Sequence, residues 1–134
     1  MNMKWEKGGL KSPMARAKGL GAAGSGVDHW MSQRVTAVAN IPLVIWALCS
    51  IVNNLGASHA EFTTWLAQPL NAILMILFLI SIFYHAYLGT QVVTEDYVHN
   101  EGLKTVKLIT QKLFFFALGV ASIFSVLKIA FTGI

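Results

Sequence analysis

The chain has 134 residues, 55% of them hydrophobic and only 12% charged, with a formal net charge of +4. A soluble domain carries about a quarter charged residues, so this chain has too few to cover a water-facing surface. Its charges also fall in patches that leave long uncharged stretches, which excludes an ordinary soluble enzyme and indicates one integral membrane domain.

The isoelectric point near 9.4 raises the question of nucleic acid. The basic excess is confined to the N-terminal third, at Lys4, Lys7, Lys11, Arg16 and Lys18, with Arg34 at the edge of the first apolar run. Trp5 alone stands among these basic residues, not the interleaved aromatics that base stacking would require, so the cluster reads as a topology determinant and a contact for anionic lipid. Cys49, the only cysteine, excludes an internal disulfide and a thiolate metal cluster, and inside its apolar run it is expected to be a small packing residue. Residues 1–26 lack both an apolar signal-peptide core and the Arg/Ser-rich amphipathic pattern of a presequence.

In chain order, residues 1–34 form a cytoplasmic N-terminal segment and interfacial start, and residues 35–134 form the membrane domain. Three stretches there, about 35–55, 68–94 and 108–131, approach or exceed the ~20 residues a helix needs to cross hydrocarbon. The predicted fold class is therefore all-α: an integral membrane bundle of three transmembrane helices. Pro42 is expected to kink the first helix, and Pro69 suits the first turn of the second. "GASHAEFTTW", the loop between the first two spans, has no Lys or Arg, whereas "EDYVHNEGLK" after the second supplies Lys104 and Lys107. The positive-inside rule then places the N-terminus on the cytoplasmic side, or the matrix side of an organelle, and the C-terminus on the periplasmic side. That orientation brings Asp28, His29, Arg34, Asp96 and Tyr97 to one membrane face.

The second span holds a single ionisable side chain, His85. Counting from Thr94, it lies roughly 14 Å below the cytoplasmic end, near the bilayer midplane. Intramembrane ionisable residues usually face a bundle interior or a functional site. Ser81 and Gly89 lie four residues to either side, on the same helical face, and leave a recess of the kind a macrocycle needs. Neutral imidazole is a common axial ligand of haem iron. The alternative is a histidine hydrogen-bonded to a neighbouring helix as packing glue. His29, His59 and His99 fall in interfacial or loop segments, so a second axial histidine would have to come from another chain.

Glu95, Asp96 and Tyr97 close the second span. Acids at a helix C-terminus oppose the macrodipole, so helix stability does not explain them. A tyrosine hydroxyl beside a carboxylate suits quinone reduction, which needs a donor to a carbonyl and a relay for protons. The plainer reading is an interfacial tyrosine beside acids at a helix end. In the third span, Ala117, Ala121 and Ser125 form a small-residue stripe expected to pack closely, "LFFF" (113–116) reads as lipid- or partner-facing bulk, and Asn40, Asn53 and Asn54 read as interhelical or interfacial hydrogen-bonders.

"HWMSQRVTAV" before the first helix and "HAYLGTQVVTEDYVH" across the end of the second carry a resemblance. With the spacing H-x3-G-x6-D-Y and the N-terminal "SPMARAKGLGAAGSG", the chain resembles the succinate dehydrogenase hydrophobic membrane-anchor family, in its alphaproteobacterial form. The likeness runs over nearly the whole chain, with the third helix matching only in position and apolarity. It implies that His85 is one axial ligand of a haem b shared with a cytochrome b556 anchor subunit. Tyr97 and Asp96 would belong to a ubiquinone site, and His29 and Arg34 would lie near the haem propionates and that site. The implied partners are the cytochrome b556, iron–sulfur and flavoprotein subunits, in a bacterial inner membrane. Succinate would be oxidised on the flavoprotein, with no activity in this chain alone. The competing readings are a purely structural anchor of a related fumarate reductase or other respiratory complex without a functional haem, and a small transporter or channel subunit. The last has no further intramembrane acids or bases to extend a relay from His85, and no repeated half.

Overall fold

The computed structural model describes residues 24–132, with side chains from residue 27 onward. The basic cluster from Lys4 to Lys18 and most of the 1–34 segment lie outside the described residues. Two compact units divide the chain, residues 1–31 and residues 32–134. Of the first, the described part is the opening of a long helix. The described residues are helical almost throughout, as α1 (Gly24–Asn53), α2 (His59–Ala67), α3 (Pro69–Tyr97) and α4 (Glu101–Thr132). Three of these, over Val27–Asn53, Pro69–Tyr97 and Glu101–Thr132, are long and apolar enough to cross a membrane.

The helix α1 starts well before the expected span at residue 35, and it runs on through Pro42 as one continuous helix. A proline removes one intrahelical N–H, and here that loss does not interrupt the helix. After α1 the chain turns at Gly56, whose φ of 83° lies in the left-handed region that a side chain would oppose. Asn54 does not reach a neighbouring helix: its Nδ2 donates to the Ser50 carbonyl at 2.8 Å and closes the end of its own helix. Cys49 is exposed on α1, so it is not a packing residue within this chain.

The expected loop between the first two spans is largely helix. Ser58 opens α2 with a capping box, in which its hydroxyl accepts from the Glu61 amide at 3.3 Å. In return the Glu61 carboxylate accepts from both the Ser58 amide and hydroxyl at 2.7 Å. This reciprocal cap satisfies donors that a nine-residue helix would otherwise leave open. Leu66 and Thr63 turn inward from α2. Leu66 joins Ala72 of α3 and Val126 of α4 in a small core, with Trp65, Met75, Ile76 and Ile129 packed around it. The Trp65 indole stacks on Trp46 of α1 with centroids 6.2 Å apart. Pro69 occupies the first turn of α3, as expected.

At the opposite end of α3 the connection is shorter than expected. Only residues 98–100 separate α3 from α4, because α4 begins at Glu101. Asn100 caps that start, its Oδ1 accepting from the Leu103 amide at 3.1 Å. Lys104 reaches back across the link and donates to the Glu95 carbonyl at 3.3 Å. Between the two helices Thr94, 1% exposed, donates to Gln111 Oε1 at 3.0 Å. Further along, Phe115 meets the Tyr87 ring edge-on at 6.4 Å and Gly119 lies against Phe83.

The expected packing stripe of Ala117, Ala121 and Ser125 does not mediate that contact. All three are exposed, and Ser125 spends its hydroxyl on the Ala121 carbonyl of its own helix. The face of α4 that meets α3 instead runs through Gln111, Phe115, Gly119 and Val126. Leu113, Phe114 and Phe116 point outward as expected, and Phe115 alone of "LFFF" turns in.

Candidate functional site

A polar seam runs between α1 and α3. The Thr36 hydroxyl lies 3.0 Å from His85 Nδ1. A Cβ added to Gly89 would meet Gln33 Nε2 at 3.7 Å, an ordinary contact. Moving three residues back along α1, from Thr36 to Gln33, thus moves four forward along α3, so the two helices are antiparallel here. The same register puts Asn40 level with Ser81, one turn farther from the Asp96–Tyr97 end. Asn40 Oδ1, Ser81 Oγ and Gln33 Oε1 are buried without a hydrogen-bond partner. In an apolar helix pair such atoms are costly, which makes this seam the candidate site.

His85 sits close to the middle of α3, whose 29 residues centre on Phe83. Because the helix continues to Tyr97, the imidazole is twelve residues from its end, or about 18 Å rather than the shorter depth counted from Thr94. Its ring is partly exposed and uses Nδ1 alone, with Nε2 making no hydrogen bond among the described residues. Ser81 and Gly89, expected to flank a recess, are on the face that meets α1. Ser81 is 8% exposed and Gly89 receives the Gln33 amide. The small residues therefore also let α1 approach closely.

Asp96 and Tyr97 are both exposed at the end of α3, Tyr97 at 77%. Glu95 beside them accepts from Gln91 Nε2 at 2.8 Å. Arg34 is exposed on α1, two residues before Thr36, and by the antiparallel register it is level with Tyr87, between His85 and Tyr97. His29 lies in the unit of residues 1–31 and is partly exposed.

Gln33 and Thr36 escaped the sequence reading as site residues. Their signal was available: Gln33, Thr36 and Asn40 recur at helical spacing where the first apolar run begins. Among the described residues no group of three or more His, Cys, Asp or Glu is placed to hold a metal ion. A separate apolar groove of ≈ 430 Å³ opens between α3 and α4, lined in part by Phe83, Tyr87, Phe115 and Gly119. It includes neither His85 nor Asp96 nor Tyr97.

Known proteins bear on this architecture. A succinate dehydrogenase hydrophobic membrane anchor subunit from Rickettsia bellii is 36% identical over 106 residues, 78% of this chain and 84% of the relative. One from Paracoccus denitrificans is 25% identical over 123 residues, covering 92% and 95% of the two chains. A succinate dehydrogenase membrane anchor subunit from Reclinomonas americana is 29% identical over 87 residues, 63% of this chain and 72% of the relative. No solved structure matches significantly. The model of the succinate dehydrogenase/fumarate reductase transmembrane subunit matches residues 9–127. With three membrane-length helices and relatives spanning most of its length, the resemblance read from the sequence holds, and the chain belongs to the succinate dehydrogenase/fumarate reductase transmembrane subunit family.

Proposed function

We propose that this chain is the membrane-anchor subunit of a succinate dehydrogenase, contributing one axial ligand to a haem b and one wall of a ubiquinone-reduction site. The observation that carries the reading is the state of His85: a mid-helix imidazole with Nδ1 occupied by Thr36 and Nε2 unused. That donor set fits an axial ligand, and the partnerless Ser81 and Gln33 oxygens beside it fit a polar group still to arrive. When bound, the haem supplies one-electron transfer. This chain's part is to present Nε2 and to keep that depth of the membrane free of water. A second histidine to hold the haem would have to come from a cytochrome b556 subunit, since no other histidine of this chain lies deep in a span.

At the end of α3, the Tyr97 hydroxyl donates to a quinone carbonyl and the Asp96 carboxylate passes protons inward from water. Reduction to the quinol consumes two electrons and two protons, and the exposure of both residues leaves the proton path open. Arg34, between the two levels, supplies positive charge for haem propionates, with His29 on the same helix. The N-terminus and the short 98–100 link face the cytoplasm of a bacterial inner membrane, where iron–sulfur and flavoprotein subunits dock. The C-terminus faces the periplasm.

A second reading has an observation of its own. The Thr36 contact satisfies His85 across two helices, as a purely structural anchor without a functional haem would require. The reduced optical spectrum of the purified complex separates the two. Wild type is expected to show a low-spin b-type α band that His85→Ala weakens, broadens or removes, and an unchanged band would sink the ligand assignment.

A further inference from the structure

We infer that Thr36 is the positioning residue for His85: its hydroxyl oxygen accepts the Nδ1 proton, and so holds the ring and reserves the Nε2 lone pair for iron. This rests on the reading of His85 as an axial ligand. A threonine hydroxyl has one proton to give. Two carbonyls of its own helix compete for it, Ser32 at 2.8 Å and Gln33 at 3.1 Å. With the proton directed there, the oxygen faces His85 Nδ1, 3.0 Å away, with a lone pair.

The reverse assignment would send the Thr36 proton to Nδ1 and move the ring proton to Nε2. Nε2 has no acceptor among the described residues, and a protonated Nε2 does not bind iron. Threonine suits the task better than serine, because its branched Cβ restricts χ1 and its hydroxyl bonds back one turn. Gln33, packed against Gly89 three residues away, holds the register that keeps the two side chains opposed.

The chain of groups therefore runs from the Ser32 carbonyl through the Thr36 hydroxyl to Nδ1–H, with Nε2 at its open end. Donation from Nδ1 raises the electron density at Nε2, which favours ferric over ferrous iron. Losing the acceptor makes the haem easier to reduce and lets the ring turn.

The test uses the assembled, detergent-solubilised complex. Thr36→Val removes the acceptor with little change of shape, and Thr36→Ser keeps it. With haem bound, Thr36→Val is expected to raise the reduced-to-oxidised ratio at fixed potential at least threefold. That corresponds to about 28 mV at 59 mV per tenfold change. It should also shift the largest g-value of the ferric haem in electron paramagnetic resonance, and Thr36→Ser should restore both. Should Thr36→Val not assemble with haem, Thr36→Cys, with its poorly accepting sulfur, carries the same expectation. Unchanged g-value and potential would overturn the role of Thr36, as would a serine variant displaced as far as valine. His85→Ala separates the two levels. A haem spectrum that survives it overturns the ligand reading itself, whereas one lost with His85 but indifferent to Thr36→Val overturns the positioning role alone.

Discussion

Glu61 and Ser58 close a small ring of hydrogen bonds at the start of α2. The Ser58 amide, and then its hydroxyl, hold the Glu61 carboxyl below the usual carboxylate range. A carboxylate with a lowered pKa in the folded chain supports its cap fully above the ordinary carboxylate range, and that support is lost as pH falls through the lowered value. Amide exchange in α2, corrected for intrinsic rates, is therefore expected to accelerate between about pH 5 and pH 3. Ser58→Ala should speed it already at neutral pH, by about 1 kcal/mol of lost cap, and should flatten the pH dependence. The cap was legible in the sequence as S-x-x-E, "SHAE", yet the segment read as loop because its apolar length was too short for a span. His85, Asp96 and Tyr97 were legible because each breaks the pattern of its surroundings. Thr36 left a fainter signal, its helical spacing with Gln33 and Asn40, and a threonine in a membrane helix is unremarkable until the opposite helix is in place.

At the scale of elements, the α3–α4 pair depends on Thr94 and Gln111. Among the described residues Thr94 is the most deeply buried polar side chain, and Gln111 Nε2 beside it already lacks a partner. Thr94→Val strips the remaining bond from the Gln111 amide, at an expected cost of about 1–3 kcal/mol. Thr94→Ser should cost less. Chemical unfolding of the detergent-solubilised complex measures both, and equal stability of the valine variant would show that the bond does not hold the pair. Span existence was plain from apolar length, whereas span ends were not. The sequence reading ended the second span at Thr94 and began the third at residue 108, because charges stood between them. The helices run through those charges, since backbone hydrogen bonds are made as well in the interface as in hydrocarbon. The stripe on α4 misled for a related reason: small residues permit close packing but do not say which helix will use it.

Across the whole molecule, apolar side chains face outward along all three long helices, and few residues are buried. A chain whose helices meet each other so sparingly is completed by lipid and by other subunits. Tyr97, 77% exposed, is part of that unfinished surface. A quinone held there by this chain alone would be open to water on most sides, so the site is expected to form only in the complex. Tyr97→Phe should therefore slow succinate–quinone activity by about tenfold to a hundredfold, the range of one lost hydrogen-bond donor. It should leave reduction of an artificial acceptor at the flavoprotein unchanged, and equal loss of both would point to failed assembly.

The stacked indoles of Trp46 and Trp65 have a practical consequence. Two rings 6.2 Å apart and within 19° of parallel couple their electronic transitions. They join the first long helix to the short capped one, at the end of the molecule away from Asp96. Their coupled near-ultraviolet circular dichroism reports whether α2 is seated, without any label. Because that signal arises far from the imidazole and the tyrosine, the protein carries a built-in optical control for every substitution at the other end.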